Sequence, residues 1–164
     1  MLELTSPRWR ELRQTFGSAE DIPSLLDALA SMEGLNERAE LWYGLWATTV
    51  PDGKVFTVAY AVVPHLLHIS ASKGAPERVA ALHLIAEVEI ARHVVGAPPI
   101  PDDLILAYAS TIESLPAIVA ELASQPWDEQ TARIIAAALL VGKRQPMLAK
   151  ALLALGSGDD VPHT

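Results

Sequence analysis

The apolar positions of the chain recur in a phrase made of an apolar residue, a proline, any residue and two further apolar residues. Three clear copies and a weaker fourth occupy residues 22–26, 63–67, 115–119 and 145–149. Each copy continues with apolar residues at the three-to-four-residue spacing of an amphipathic helix. A repeat of this kind indicates that the chain is built from copies of one supersecondary unit.

A second helical run follows each of the three clear copies. It opens with a glutamate, 13 or 14 residues after the proline, at Glu37, Glu77 and Glu129. An acidic residue in a first helical turn complements the positive end of the helix dipole. Because the connections within each unit are short, the two helices should be antiparallel neighbours. The repeat therefore predicts three helix pairs followed by a closing half unit.

The residues on either side of the repeat complete the predicted fold. Trp9, Leu12 and Phe16 have helical spacing and predict a first helix that caps the repeat. The prediction is thus an all-α fold of about eight helices, in a single domain over residues 1–155. Residues 156–164 contain helix-breaking glycine and proline and predict a flexible C-terminal tail.

The prolines of the three clear copies have two predicted roles. Pro23 is expected to open a helix, because helices accept proline in their first turn. Pro64 and Pro116 follow good helical sequence and predict long, bent helices. Residues 55–58 are β-branched or aromatic and follow an Asp-Gly turn, so a strand remains an alternative there.

Composition supports a helical fold and narrows the classes of function. Alanine and leucine, which favour helices, are the commonest residues, and only 5% of the chain is aromatic. The net charge of −8 disfavours a nucleic-acid partner, because phosphates attract basic surfaces. The absence of cysteine excludes disulfides and thiolate chemistry. With no signal-peptide pattern and no apolar run long enough to cross a bilayer, the sequence predicts a cytoplasmic protein without a membrane partner.

The repeated unit resembles a HEAT repeat. The resemblance is carried by the proline phrase and by the Glu-Arg start of the second helix, at residues 22–29 with 37–39 and 63–67 with 77–80. It implies a short, right-handed α-solenoid of antiparallel helix pairs, HEAT-like or armadillo-like. The third unit departs from the pattern with Gln130 in place of arginine, and the fourth lacks a second helix. Residues 60–66, with Trp42 upstream, are also similar to small bacterial HEAT-like proteins.

The resemblance implies a protein-binding module, either a scaffold or an inhibitor, because HEAT-like proteins are mostly of these kinds. Its partner surface would be the groove formed by the second helices of the repeats. The expected partner is a protein, and the acidic charge of the chain favours a basic one. No cofactor and no catalytic residue are expected. The candidate groove residues are Glu37, Arg38, Glu40, Tyr43, Arg78, His83, Glu87 and Arg133.

An alternative hypothesis is a metal-dependent enzyme or a small-molecule-binding protein with a site around His65, His68, His83 and Glu87. The two pairs in this set have helical spacing, so each could share one helix face. A transition-metal site needs three or four converging ligands, and the sequence has no metal signature to supply them. It also has no nucleophile elbow and no phosphate-binding glycine loop, so binding is the leading hypothesis.

Large apolar residues at helical spacing are interpreted as core. Trp42 and Trp46 lie one turn apart and are assigned to a packing face rather than to ligand stacking. Leu66 and Leu67 occupy repeated apolar positions, so both should be buried. Trp127 lies in a predicted turn and is expected to pack at a junction between repeats.

Overall fold

The computed structural model describes residues 1–31 and 35–155, without the side chains of residues 35–37. These residues are mostly α-helical, which confirms the all-α prediction. The predicted tail at 156–164 and the side chain of Glu37 lie outside the described residues. The helices are α1 (Ile22–Ser31), α2 (Leu35–Thr49), α3 (Thr57–Ala71), α4 (Ala75–Ala91), α5 (Ile105–Leu122), α6 (Glu129–Gly142) and α7 (Pro146–Ala154).

The predicted first helix is wrong. Residues Pro7–Glu11 form a 3-10 helical turn, followed by a two-stranded hairpin of β1 (Arg13–Gln14) and β2 (Gly17–Ser18). Gly17 has a φ of 121°, which an L side chain rarely adopts, so the chain turns here instead of continuing as a helix. Trp9 and Leu12 are buried as predicted, but Phe16 at the hairpin tip is 78% exposed.

The helices make two kinds of contact, one within each pair and one between neighbouring pairs. Within the sequence-adjacent pairs, α1 contacts α2, α3 contacts α4 and α5 contacts α6. The first helices also contact one another from pair to pair, α1 with α3 and α3 with α5, and the second helices do the same, α2 with α4 and α4 with α6. The last helix, α7, packs on α6 and also reaches α4.

The prolines occupy the predicted positions in the helices. Pro23 is the second residue of α1, while Pro64 and Pro116 lie inside α3 and α5. Helix α3 begins at Thr57, so the strand alternative for residues 55–58 is wrong. Pro116 is also a packing residue, because a Cβ added at Gly142 would lie 2.7 Å from its Cδ. Glycine at 142 therefore lets α6 approach α5 closely at this point.

The core runs along α3 and α4 and between the helix pairs. Nine consecutive residues of α3, from Val58 to Leu66, are buried, so this part of the helix is covered on all sides. Leu66 is fully buried as predicted, whereas Leu67 is only partly buried and packs at the edge of the core. The two leucines are adjacent, so they point about 100° apart around the helix axis.

The sequence predicted no apolar segment long enough to cross a bilayer, but helix α5 meets the length and hydropathy criteria for one. Its 18 residues have a mean hydropathy of 1.3, and by length and composition alone it could cross a bilayer. Core helices of soluble proteins also meet these criteria. In α5, Tyr108, Leu115 and Leu122 are buried against the rest of the fold.

Candidate functional site

A cavity of about 500 Å³ opens between the second helices, which are α2, α4 and α6. We call it the second-helix cavity. It lies where the first two turns of α4, the start of α6 and the α5–α6 connection meet Trp46 of α2. Its size falls in the range typical of ligand pockets. The lining residues are Trp46, Ala75, Pro76, Val79, Ala80, His83, Leu122, Gln125, Pro126, Trp127, Asp128, Gln130, Thr131, Ile134 and Ile135.

Two tryptophans and a histidine form the aromatic part of this lining. The rings of Trp46 and His83 meet edge to face, with their centroids 4.8 Å apart. The indole N–H of Trp127 donates a hydrogen bond to the Leu122 carbonyl oxygen at 3.0 Å, while 40% of the residue stays exposed. This bond fixes the ring at the end of α5. The cavity therefore has an aromatic wall that is already positioned.

The charge of the lining is negative. Asp128 supplies a carboxylate to the lining, and among residues 1–31 and 35–155 no lysine or arginine lines the cavity. The Asp128 carboxylate caps α6 by accepting the Thr131 backbone N–H at 2.7 Å. That hydrogen bond lowers the pKa of Asp128 below its ordinary value, because it favours the charged form. The cavity thus combines apolar walls with one stable carboxylate.

The structure separates the predicted groove residues. Among the groove residues whose side chains the structure describes, His83 is the one that lines the second-helix cavity. Glu40 and Tyr43 are exposed on α2, and Glu87 lines a smaller cavity of about 220 Å³ against α7. The three arginines form ion pairs, Arg38 with Glu77, Arg78 with Glu121 and Arg133 with Glu129.

The Arg38–Glu77 pair differs in kind from the other two. Both of its side chains are about 15% exposed or less, and the pair joins α2 to α4. It therefore joins two second helices, at an arginine that the sequence predicted for the partner groove. Glu121 and Glu129 are the exposed partners in the other two pairs. Exposed pairs of this kind contribute little to stability.

The residues of the alternative metal site lie apart and make separate contacts. His65 is buried, and its ring Nε2 lies 2.7 Å from the Leu2 carbonyl oxygen. His68 is exposed on α3, and His83 pairs with Glu87 at 3.7 Å along α4. Within residues 1–31 and 35–155, no group of three or more histidine, aspartate or glutamate side chains converges to hold a metal ion.

The buried ring of His65 predicts that the protein loses stability at acid pH. Burial lowers the pKa of His65 below its ordinary 6.5, so the folded protein holds the neutral ring, whose Nε2–H donates to Leu2. Unfolding therefore takes up a proton when the pH is below about 6.5. The free energy of unfolding consequently falls as the pH drops from about 6.5 through the lowered pKa of His65. The variant His65→Gln retains an N–H donor but has no titrating ring. We expect its free energy of unfolding to fall less between pH 7 and pH 5 than that of the wild-type protein. Urea unfolding at each pH measures this; parallel losses in both proteins would contradict it.

A buried polar cluster surrounds Glu89, and only part of it has a local sequence signal. Glu89 of α4 is buried, and its carboxylate accepts hydrogen bonds from Arg92, His93 and Tyr108. Helical spacing indicates the Glu89–His93 pair, whose atoms are 3.2 Å apart. The contact with Tyr108 joins α4 to α5 at 2.7 Å and has no local sequence signal. Burial and the Glu89 charge raise the pKa of Tyr108 well above its ordinary value.

Comparison of the chain with models of protein families, with curated proteins and with solved structures finds no match.

Proposed function

We propose that the protein is a protein-binding module, and that its second-helix cavity holds one large apolar side chain of a basic partner segment. The observation that carries this proposal is the lining itself, which presents the rings of Trp46 and Trp127 beside the Asp128 carboxylate. Tryptophan residues are common centres of binding energy at protein interfaces, once the partner has excluded water from them.

The wider surface would be a short HEAT-like α-solenoid. What supports this arrangement is the contact pattern, in which first helices touch first helices and second helices touch second helices from pair to pair. Stacked helix pairs bury a continuous core and leave the second helices along one extended face. Helix α7 departs from simple stacking, because it packs on α6 and α4. The free part of the face is therefore the part that contains the second-helix cavity.

Charge complementarity decides the chemistry of the partner. Asp128 lines the cavity without a basic side chain beside it in the lining, and the whole chain carries a net charge of −8. A lysine or arginine next to the inserted apolar residue would meet this carboxylate. Opposite charges accelerate association and disfavour acidic competitors. The proposed segment is therefore a short peptide with an aromatic or large aliphatic anchor flanked by basic residues.

Selection from a phage-displayed library of random peptides tests the proposal with a defined probe. We expect enrichment of peptides in which tryptophan, phenylalanine or leucine neighbours lysine or arginine. Trp127→Ala should weaken the best peptide by at least about tenfold, since it removes an aromatic anchor wall. Asp128→Asn should weaken it several-fold at low salt and reduce its salt dependence, because asparagine retains the helix cap but not the charge.

Matched controls separate the cavity from the rest of the surface. Phe16→Ala removes an exposed aromatic ring on the hairpin, and Asp27→Asn removes an exposed carboxylate on α1. Neither should change peptide affinity. Failure to enrich any peptide, enrichment of acidic peptides, or equal binding by the Trp127→Ala variant would overturn the proposal.

A further inference from the structure

A second cavity of about 420 Å³ lies on the α5 side of α4, away from the second-helix cavity. We call it the Glu89 cavity. Its apolar lining includes Ile100, Ile105, Ala109 and Ile112, and the start of α7 closes it at Pro146. The polar lining is Glu89, Arg92, His93, Tyr108, Glu113 and Arg144. An apolar cavity with a few convergent polar groups is the usual form of a small-molecule site.

The acceptor capacity of Glu89 is filled by the protein. One carboxylate oxygen accepts from Arg92 Nη2 at 2.7 Å and from His93 Nε2 at 3.2 Å. The other accepts from Arg92 Nε and from the Tyr108 hydroxyl. A carboxylate offers about four acceptor positions, and all four are occupied. A ligand that needs an acceptor therefore has no place at Glu89.

Donors, in contrast, remain available. The guanidinium of Arg92 has five N–H groups, of which two bind Glu89, and in the described part of the chain nothing accepts the other three. Arg144 contacts only Glu113 among these residues, through one long hydrogen bond of 3.4 Å on the exposed rim. Such an exposed pair is weak and can be exchanged for a ligand. The cavity therefore offers guanidinium donors above an apolar floor.

The backbone at Arg144 explains how its side chain comes to the cavity. Its φ of 61° lies in the left-handed region, where glycine or asparagine usually ends a helix. The Gln145 N–H donates a hydrogen bond to the Leu140 carbonyl oxygen at 2.8 Å, so the left-handed residue closes the end of α6. Its position at the end of α6 brings a second guanidinium to the cavity that Arg92 already lines.

We propose that the Glu89 cavity binds a small amphipathic carboxylate. Its apolar chain would lie against Ile105, Ala109 and Ile112, and its carboxylate would accept hydrogen bonds from Arg92 and Arg144. Guanidinium and carboxylate groups form paired, charge-assisted hydrogen bonds, which fixes the charged end of the ligand. This site shares no lining residue with the second-helix cavity, so the proposal does not depend on peptide binding.

Isothermal titration calorimetry with octanoate, and with the neutral octanamide, tests this site. We expect octanoate to bind at least about tenfold more tightly, because only the anion gains charge-assisted hydrogen bonds. Ala109→Phe should abolish binding by filling the cavity. Arg144→Asn should weaken it at least about threefold, since asparagine tolerates the backbone but lacks the guanidinium.

A matched variant and a second substitution keep the test decisive. Ala120→Phe adds the same ring at an exposed position of the same helix, outside the cavity lining, and should bind octanoate as wild type does. If Ala109→Phe does not fold, Ala109→Asp should also abolish binding, by placing a carboxylate against the ligand. No binding to wild type, equal affinity for octanamide, or unchanged affinity in both Ala109 variants would overturn the proposal.

Discussion

Replacement of Leu66 by alanine is expected to lower the free energy of unfolding by about 2–5 kcal/mol, the range for truncation of a core leucine. Leu66 is fully buried in α3, the helix that contacts α1, α2, α4 and α5. The cavity that alanine leaves cannot collapse easily, because helices on several sides hold the surrounding side chains. Urea denaturation followed by circular dichroism measures the loss.

The neighbouring leucine provides the matched comparison. Leu67 is only partly buried at the edge of the core, so part of its side chain is already hydrated. Leu67→Ala should therefore cost clearly less, about 1 kcal/mol. Equal losses at the two positions, or a loss at Leu66 within about 0.5 kcal/mol, would contradict the packing of α3 described above.

Replacement of Glu89 by glutamine should have the second large effect. The substitution removes the charge that binds Arg92 and turns half of the acceptor group into a donor that faces other donors. Loss of one partner from a buried pair costs about 3–5 kcal/mol, and we expect about 2–3 kcal/mol here because Arg92 can regain water on its exposed side.

The control for this prediction is the same substitution at an exposed carboxylate. Glu113 pairs with Arg144 at 3.4 Å, and both side chains are largely exposed. Glu113→Gln should change the free energy of unfolding by no more than about 0.5 kcal/mol. Thermal or urea unfolding of both variants at pH 7 makes the comparison. A Glu89→Gln protein as stable as the Glu113→Gln protein would show that the buried cluster does not support the fold.

The helices could be predicted from the sequence because their signals are local. The proline phrase placed α1, α3 and α5, and the acidic starts placed the second helices close to their observed beginnings. The first 18 residues could not be predicted in the same way. Their apolar spacing fits a helix, but the glycine at 17 and the contacts of this segment with α2 and α3 produce a hairpin instead. Tertiary contacts therefore overrode a short amphipathic pattern.

The candidate sites depended on contacts between distant residues. His83 could be predicted because its position on a second helix is visible in the repeat, whereas the only local signal at Asp128 is that of a helix N-cap. The hydrogen bond between Glu89 and Tyr108 joins residues 19 positions apart on different helices. Pro116 and Gly142 meet across two helices in the same way. Periodicity gives the face of a helix but not the partner that it meets, so these sites needed the fold.

The most direct test of the proposed function is the spectrum of the tryptophan indole N–H groups during titration with the selected basic peptide. The chain has four tryptophans, of which Trp46 and Trp127 line the second-helix cavity and Trp9 is buried against the N-terminal segment. Proton–nitrogen correlation NMR resolves their side chains individually. We predict that the Trp46 and Trp127 signals shift in proportion to bound peptide while the Trp9 signal stays in place. Saturable binding that leaves both cavity signals unmoved would contradict the account.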